Sequence, residues 1–338
     1  MGIVYRNENS YCGPINMVLL LATGDLVVVF REALWRGYRF HSDPTTRTSM
    51  VRSTDGGETW HSQVTLHTYA GNGCVVGQIS DGSLIVNNFR WIFAPLEEGK
   101  TRFRDYDTYR ENERLGLATV NEGVYTATSR DEGYTWEPAR MLLERAGTAG
   151  RVVELDDGSV LMPVNGGTGS GWAMRSTDGG ETWEQHGVVT PVLPGLRFSE
   201  MRFVPLGGGR VLAGMRTAEA NFYVSHSDDG GGTWSAPDET PVYCQGSSPF
   251  DLILLNDGRV LATYGHRRPP YGVRACLSED GGRTWDIGNE VVIRDDGLDT
   301  DMGYPSSAQL RDGSILTTYY WHEEDQVRHI RSSKWRVD

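Results

Sequence analysis

The sequence predicts an all-β fold, a six-bladed β-propeller with four-stranded antiparallel blades. Three observations carry that expectation. An apolar run, a Gly-containing tight turn and a second apolar run recur six times, as LATGDLVVVF (21–30), ISDGSLIVNN (79–88), LDDGSVLMPV (155–164), LGGGRVLAGM (206–215), LNDGRVLATY (255–264) and LRDGSILTTY (310–319). Each is a β-hairpin signature. The pattern S-x-D-x-G-x-T-W recurs five times, and its form STDGGETW is identical at Ser53–Trp60 and Ser176–Trp183. Finally, no amphipathic helical stretch of ten or more residues separates the apolar runs, which sets aside a parallel α/β array.

The elements follow in order. The five boxes start at 53, 129, 176, 227 and 278, at intervals of 76, 47, 51 and 51. A period of about 50 residues with four short strands per unit is a propeller repeat. The first interval is longer by about 25 residues, and the excess at 90–114 is charged and aromatic. It reads as a loop insertion in blade 2, with Arg102, Arg104, Asp105 and Asp107 solvated. The sixth hairpin has no full box after it and ends in the strand-like RSSKWRV. The last blade is therefore expected to be closed by the N-terminal segment near Ile3–Tyr5 or by the C-terminal strand. The boxes read as turn staples. The Asp accepts hydrogen bonds from its own turn, the Gly supplies a positive φ, the Thr hydroxyl closes the turn, and the Trp ring packs between sheets.

Composition narrows the function. With 338 residues the length suits one large all-β domain, taken as 1–338. A net charge of −13 argues against nucleic-acid and anionic-membrane partners. No run of about 18 apolar residues is present. The N-terminus MGIVYRNENS lacks the basic-then-apolar order of a signal peptide. The expected compartment is the cytoplasm, or outside the cell if a signal was removed. Cys12, Cys74, Cys244 and Cys276 have no CxxC spacing, so they read as thiols rather than zinc ligands. No metal and no cofactor is expected.

Several residues cluster at corresponding blade positions. FSEMRFVPLGGGRVLAGMR puts Glu200 at the start of a first strand and Arg216 at the end of a second. MGYPSSAQLRDGS puts Tyr304 just before another first strand. HRRPPYGVRACLSEDGG supplies His266, Arg268 and Arg274, and HSDPTTRTSMVR supplies His41 and Asp43. Each also has a plain structural use: an ion pair of Glu200 with Arg202, ring packing of Tyr304, a turn at Asp43. Trp91, Trp172 and Trp321 follow second strands or sit in adjoining loops, where aromatic rings serve as sugar platforms or blade caps.

The once-per-blade S-x-D-x-G-x-T-W turns resemble the Asp-boxes of the sialidase (neuraminidase) superfamily, whose bacterial neuraminidase repeats build six-bladed propellers. The resemblance spans about 11–337. It implies a glycoside hydrolase that removes a terminal, acidic sugar, so the expected partner is a glycan or small sugar. It implies Tyr304 as nucleophile, Glu200 as its activator and Asp43 as acid/base. It implies Arg216, with Arg268 or Arg274, as ligands of the substrate carboxylate. The family's Phe-Arg-Ile-Pro motif aligns on Pro14 with YCGP, so the first arginine's place falls on Cys12. Arg36, Arg39 or Arg47 is then needed as a substitute. The chemistry fits the residue types. A phenol is activated by a neighbouring carboxylate, does not repel an anionic sugar, and guanidinium forks bind carboxylates bidentately. Two rival readings remain: another exo-glycosidase or a polysaccharide lyase using His266 and Tyr304, and a non-catalytic carbohydrate-binding propeller. Separation of Glu200 from Tyr304 would favour the last.

Overall fold

A computed structural model describes residues 1–38, 40–67, 71–167, 169–219, 221–243 and 248–337. Arg39 and Cys244 lie outside these residues. Six antiparallel sheets form six blades. Blade 1 runs Ser10–Leu20, Leu26–Leu34, Arg47–Ser53, His61–His67. Blade 4 runs Ser199–Gly207, Arg210–Arg216, Tyr223–Ser227, Asp238–Glu239, and blade 5 runs Phe250–Leu254, Val260–His266, Tyr271–Ser278, Val291–Gly297. In blade 3 two short segments, Ala146–Gly147 and Val153–Glu154, share the innermost position beside Val160–Gly166. The first strands pack on one another around the axis. Apolar clusters such as Val204, Leu212, Phe250, Leu252 and Tyr264 fill the space between neighbouring blades.

Blade 6 joins the two chain ends. Gly303–Gln309, Ile315–Trp321 and His329–Trp335 are completed by Gly2–Tyr5, with Gly2 opposite Ser332 and Ile3 opposite Arg331. The N-terminal strand is thus the outermost strand of the last blade. This strand pairing and the packing of Ser10–Leu20 on Gly303–Gln309 both close the ring.

The boxes do what their residue types dictate. At Asp178 one carboxylate oxygen accepts from the Ser176 hydroxyl at 2.7 Å and the Thr182 amide at 2.9 Å. Ser176 Oγ in turn accepts from the Gly180 amide at 2.8 Å, with Gly180 at φ 89°. Trp183 donates to the Gly180 carbonyl at 2.9 Å. The same pattern recurs at Asp131 and Asp229. The Thr182 hydroxyl and amide hold Asp178 down at about 2.

Segment 90–114 is not a loop. The second and third strands of blade 2, Leu84–Pro95 and Leu117–Ser129, extend beyond the sheet as a paired stalk from Trp91↔Asn121 to Pro95↔Leu117. A short helix, Leu96–Arg102, and a strand, Arg110–Asn112, cap it. Ala94, Phe103, Ala118 and Val120 are buried there as a small separate core. Phe103 packs with apolar residues of the segment itself, Ala94 and Leu96 among them, and with Ala118 and Val120 of the following strand, an arrangement that its charged local composition does not announce.

Candidate active site

The strand ends at one end of the axis surround a cavity of about 570 Å3. Its walls include Tyr304, Glu200, Arg216, Arg267 and His41. Glu200 and Tyr304 arrive there through a repeated backbone device. In blade 4, Ser199 and Arg202 oppose Arg216 and Gly214, so the inner strand carries one extra residue. In blade 6, Gly303 and Ser306 oppose Tyr320 and Thr318, with the same excess. Glu200 and Tyr304 lie within these bulges at φ 48° and 47°. A left-handed conformation costs a residue with a Cβ about 1–2 kcal/mol, and such strain gathers at functional sites. The bulges turn both side chains toward the axis.

Blades 1 and 2 have irregularities at the matching places, but with glycine in them: Gly13 at φ 124° and Gly73 at φ 73°. A Cβ on Gly73 would meet the Thr148 carbonyl oxygen at 2.1 Å, and one on Gly13 the Tyr320 ring at 2.8 Å. These two blades therefore present backbone where blades 4 and 6 present functional groups.

The central contact is direct. Tyr304 Oη donates to Glu200 Oε1 at 2.7 Å. Arg216 donates to Tyr304 Oη at 2.8 Å and is ion-paired with Glu200 Oε2. Glu200 therefore pairs with Arg216 rather than Arg202, whose Nε lies 3.3 Å from Asp251. Asn16 Nδ2 donates to the Tyr304 carbonyl at 2.8 Å, which helps hold the strained turn. Burial raises the Glu200 carboxyl, but Arg216 and the Tyr304 hydrogen bond outweigh it and hold it below its usual value. Tyr304 is pushed up to about 12, by burial first and by the Glu200 charge, against Arg216 and Arg267. Near neutral pH the site holds a carboxylate and a neutral phenol sharing one short hydrogen bond.

The second cation at the tyrosine is Arg267, not Arg268 or Arg274. Its guanidinium carbon lies 5.8 Å from the Tyr304 ring centroid. It donates to the Met302 carbonyl at 3.0 Å and to Tyr320 Oη at 3.3 Å. Tyr320 in turn donates to Asp301 at 3.1 Å, and Arg328 binds the other oxygen of Asp301 at 3.0 Å. Arg268 points the other way, over Tyr243 at 4.4 Å, and donates to His266 Nε2 at 3.0 Å. The other nitrogen of His266 donates to the Pro270 carbonyl at 2.9 Å. His266 is thus held as a neutral ring in the blade 5 loop, its basicity lowered by burial and by Arg274 and Arg268, and it does not line the cavity. Arg274 lies in the third strand of blade 5 and is paired with Glu290, away from the axis.

Asp43 is also absent from the cavity wall. It is 2% exposed. Its carboxylate is ion-paired with Arg36 and accepts from the Thr45 amide at 2.8 Å and hydroxyl at 2.6 Å. Those partners outweigh burial and hold it below its usual range. Arg36 is thereby committed to Asp43, and Arg47 to Glu32 at 3.0 Å. Cys12 is fully buried in the core between blades 1 and 6. Among the described residues, no arginine reaches the cavity from blade 1.

Several wall residues carry no sequence signal that singled them out: Asn72, Asn121, Asn165, Arg110 and Arg145. Arg267 had one, since it directly follows the second strand of blade 5, as Arg216 closes that of blade 4. Of the three candidate tryptophan platforms, only Trp91 lines the cavity, while Trp321 is buried beneath Arg294.

Residues 109–317 match the family model of the BNR repeat-like domain, and residues 51–62 that of the BNR/Asp-box repeat. A sialidase of Bacteroides fragilis (strain YCH46) is 24% identical over 318 residues, covering 83% of this chain and 54% of its own length. The chain thus spans about half the length of that relative. Among solved structures, a protein of unknown function from Dyadobacter fermentans DSM 18053 has a TM-score of 0.85 at 26% identity, covering 100% of this chain and 98% of the other. The intramolecular trans-sialidase from Ruminococcus gnavus has a TM-score of 0.72 at 15% identity, covering 100% and 97%. The NanB sialidase from Streptococcus pneumoniae has a TM-score of 0.75 at 12% identity, covering 99% and 70%. The last two likenesses are of fold alone. With the repeat, the blade count and the matched family model together, the chain belongs to the BNR repeat-like domain family and is a propeller of the sialidase superfamily.

Proposed function

We propose that the protein is a retaining exo-glycosidase acting on a terminal acidic sugar. The observation that carries this reading is the 2.7 Å hydrogen bond between Tyr304 and Glu200, with Arg216 on both. Tyr304 Oη attacks the anomeric carbon while its proton passes to Glu200, and the glycosidic C–O bond breaks. The raised phenol makes this transfer necessary, since free tyrosinate is scarce near neutral pH. Arg216 stabilises the phenolate oxygen as charge develops on it. Arg216 and Arg267 hold the sugar carboxylate.

The departing oxygen needs a proton. Among the described residues His41 is the cavity-lining histidine, the side-chain type that exchanges protons near neutral pH, whereas Asp43 is engaged by Arg36. His41 gives its proton to the leaving group, then takes one from the water that attacks the glycosyl–tyrosine bond. Tyr304 leaves and recovers its proton from Glu200, which restores the starting state. A carboxylate held by two arginines rather than three favours sugar acids other than unmodified sialic acid, or slow turnover of sialosides. A purely carbohydrate-binding role has no use for a carboxylate pressed against a tyrosine. The test is hydrolysis of a panel of aryl glycosides of sugar acids. Turnover by the native chain and its loss in Tyr304→Phe supports the reading, while turnover of none overturns it.

A further inference from the structure

The chain is acidic overall, yet among the described residues its cavity is lined by four arginines against one carboxylate. Arg216 and Arg267 stand at Tyr304. The other two, Arg110 and Arg145, are placed by the blade 2 stalk. Arg110 lies 5.4 Å from the Trp91 ring centroid, and Arg145 lies 4.2 Å from that of Tyr106. Arg145 sits at φ 54° and donates to the Asp105 carbonyl at 3.4 Å. Among the described residues neither guanidinium has a carboxylate partner. Stacking on an aromatic face leaves the rim N–H groups of a guanidinium available to an anion.

The same wall holds two unsatisfied acceptors. Asn72 and Asn121 are 8% and 5% exposed, both line the cavity, and neither Oδ1 has a hydrogen-bond partner among the described residues. The Nδ2 of Asn121 is used by the Ala146 carbonyl at 2.8 Å, which fixes the amide's orientation. A buried orphan acceptor is costly unless a ligand donor meets it. Sugar hydroxyls are such donors. The cavity volume lies within the range of about 300–1,000 Å3 that accommodates ligands larger than one ring.

We propose that Arg110 and Arg145 form a second anion-binding pole, so that the favoured ligand is a dianionic glycan. On the hydrolase reading above, the first carboxylate lies on Arg216 and Arg267. The second anion, a carboxylate, sulfate or phosphate on the same or the adjoining unit, reaches the blade 2 wall, with hydroxyls between them on Asn72 and Asn121.

The test measures equilibrium binding by calorimetry to the full chain carrying Tyr304→Phe, so that no probe is consumed. The probes are sialyllactose, disialyllactose, a sulfated sialyllactose and a sialyl sugar phosphate. At least one of the three dianionic probes is expected to bind about tenfold or more tightly than sialyllactose, since charge-assisted pairs are the strong ones. Which one does so identifies the second anion. Adding Arg110→Gln and Arg145→Gln is expected to bring that ratio to within about threefold, and Arg110→Lys with Arg145→Lys to restore part of it. If the glutamine variant does not fold, the ratio in the Tyr304→Phe protein is instead expected to fall at least about threefold between low and high salt. No binding of any probe, no dianionic preference, or a preference that survives both the glutamine pair and high salt overturns the proposal. A preference for dianions in a chain that hydrolyses nothing leaves the pole standing and sinks the hydrolase reading. Hydrolysis without such a preference does the reverse.

Discussion

Tyr304 and Glu200 come from blades 6 and 4, which are not adjacent, yet they share a 2.7 Å hydrogen bond and nearly the same left-handed backbone, φ 47° and 48°. The bulge that turns each side chain inward is the same one-residue insertion, so the contact follows from a device that the propeller repeats.

Glu200→Gln keeps the shape and removes the base. We expect kcat/KM to fall by about 10²–10⁴. Without the negative charge that helps raise it, the Tyr304 phenol should move down from about 12. NMR of labelled tyrosine, with Tyr304→Phe identifying the signal, reads that shift. Because Glu200 is held low, the acid limb of kcat/KM in the native chain should lie below the ordinary glutamate value of about 4.3. A limb above that value would mean Glu200 is not the base.

His41 and Asp43 are separated by the leaving group. His41→Asn is expected to slow natural glycosides by about 10²-fold or more, and to affect aryl glycosides with acidic phenols far less, since those leave unprotonated. Asp43→Asn removes the anchor of Arg36 and should cost about 2 kcal/mol of stability, with the folded fraction equally active on both substrate types. The reverse pattern returns the acid role to Asp43.

Gly73→Ala is expected to destabilise by at least about 2 kcal/mol. Its Cβ would meet the Thr148 carbonyl oxygen at 2.1 Å, a backbone atom, at a positive φ. Denaturant unfolding measures this. A neutral outcome would show that the bulge in blade 2 relaxes freely.

Asp178→Ala should lower stability by about 1 kcal/mol, or roughly 1–2 °C for a chain of this length, and leave activity intact. The Asp178 carboxyl is depressed in the folded chain, to about 2. Its contribution is therefore full above the unfolded value of about 3.9 and is lost as pH falls through about 2. The gap between variant and native melting curves should close over that window.

Repetition made most of the fold legible. Six hairpins and five boxes state the blade count and turn chemistry directly. Position within the repeat also located Glu200, Arg216 and Tyr304, because strand starts and strand ends converge on the axis. Legibility failed where one residue decides direction. Arg267 and Arg268 are chain neighbours, and successive side chains leave a strand end on opposite faces, so only one meets Tyr304. It failed at Asp43, whose loop turns the carboxylate onto Arg36. It failed in the blade 2 stalk, where scattered apolar residues such as Ala94, Leu96 and Phe103 meet Ala118 and Val120 only once the long strand pair has formed. The orphan acceptors of Asn72 and Asn121 depend on three-dimensional satisfaction that no local pattern records.

The central claim is that Tyr304 is the nucleophile. Its most direct test is to incubate the native chain with a fluorinated sugar-acid glycosyl fluoride, which slows breakdown of a covalent intermediate, and to locate the adduct by peptide mass spectrometry. We predict one glycosyl adduct, on Tyr304, absent from Tyr304→Phe. Hydrolysis of the ordinary substrate that proceeds at the native rate in Tyr304→Phe, or an adduct on another residue, would contradict the account.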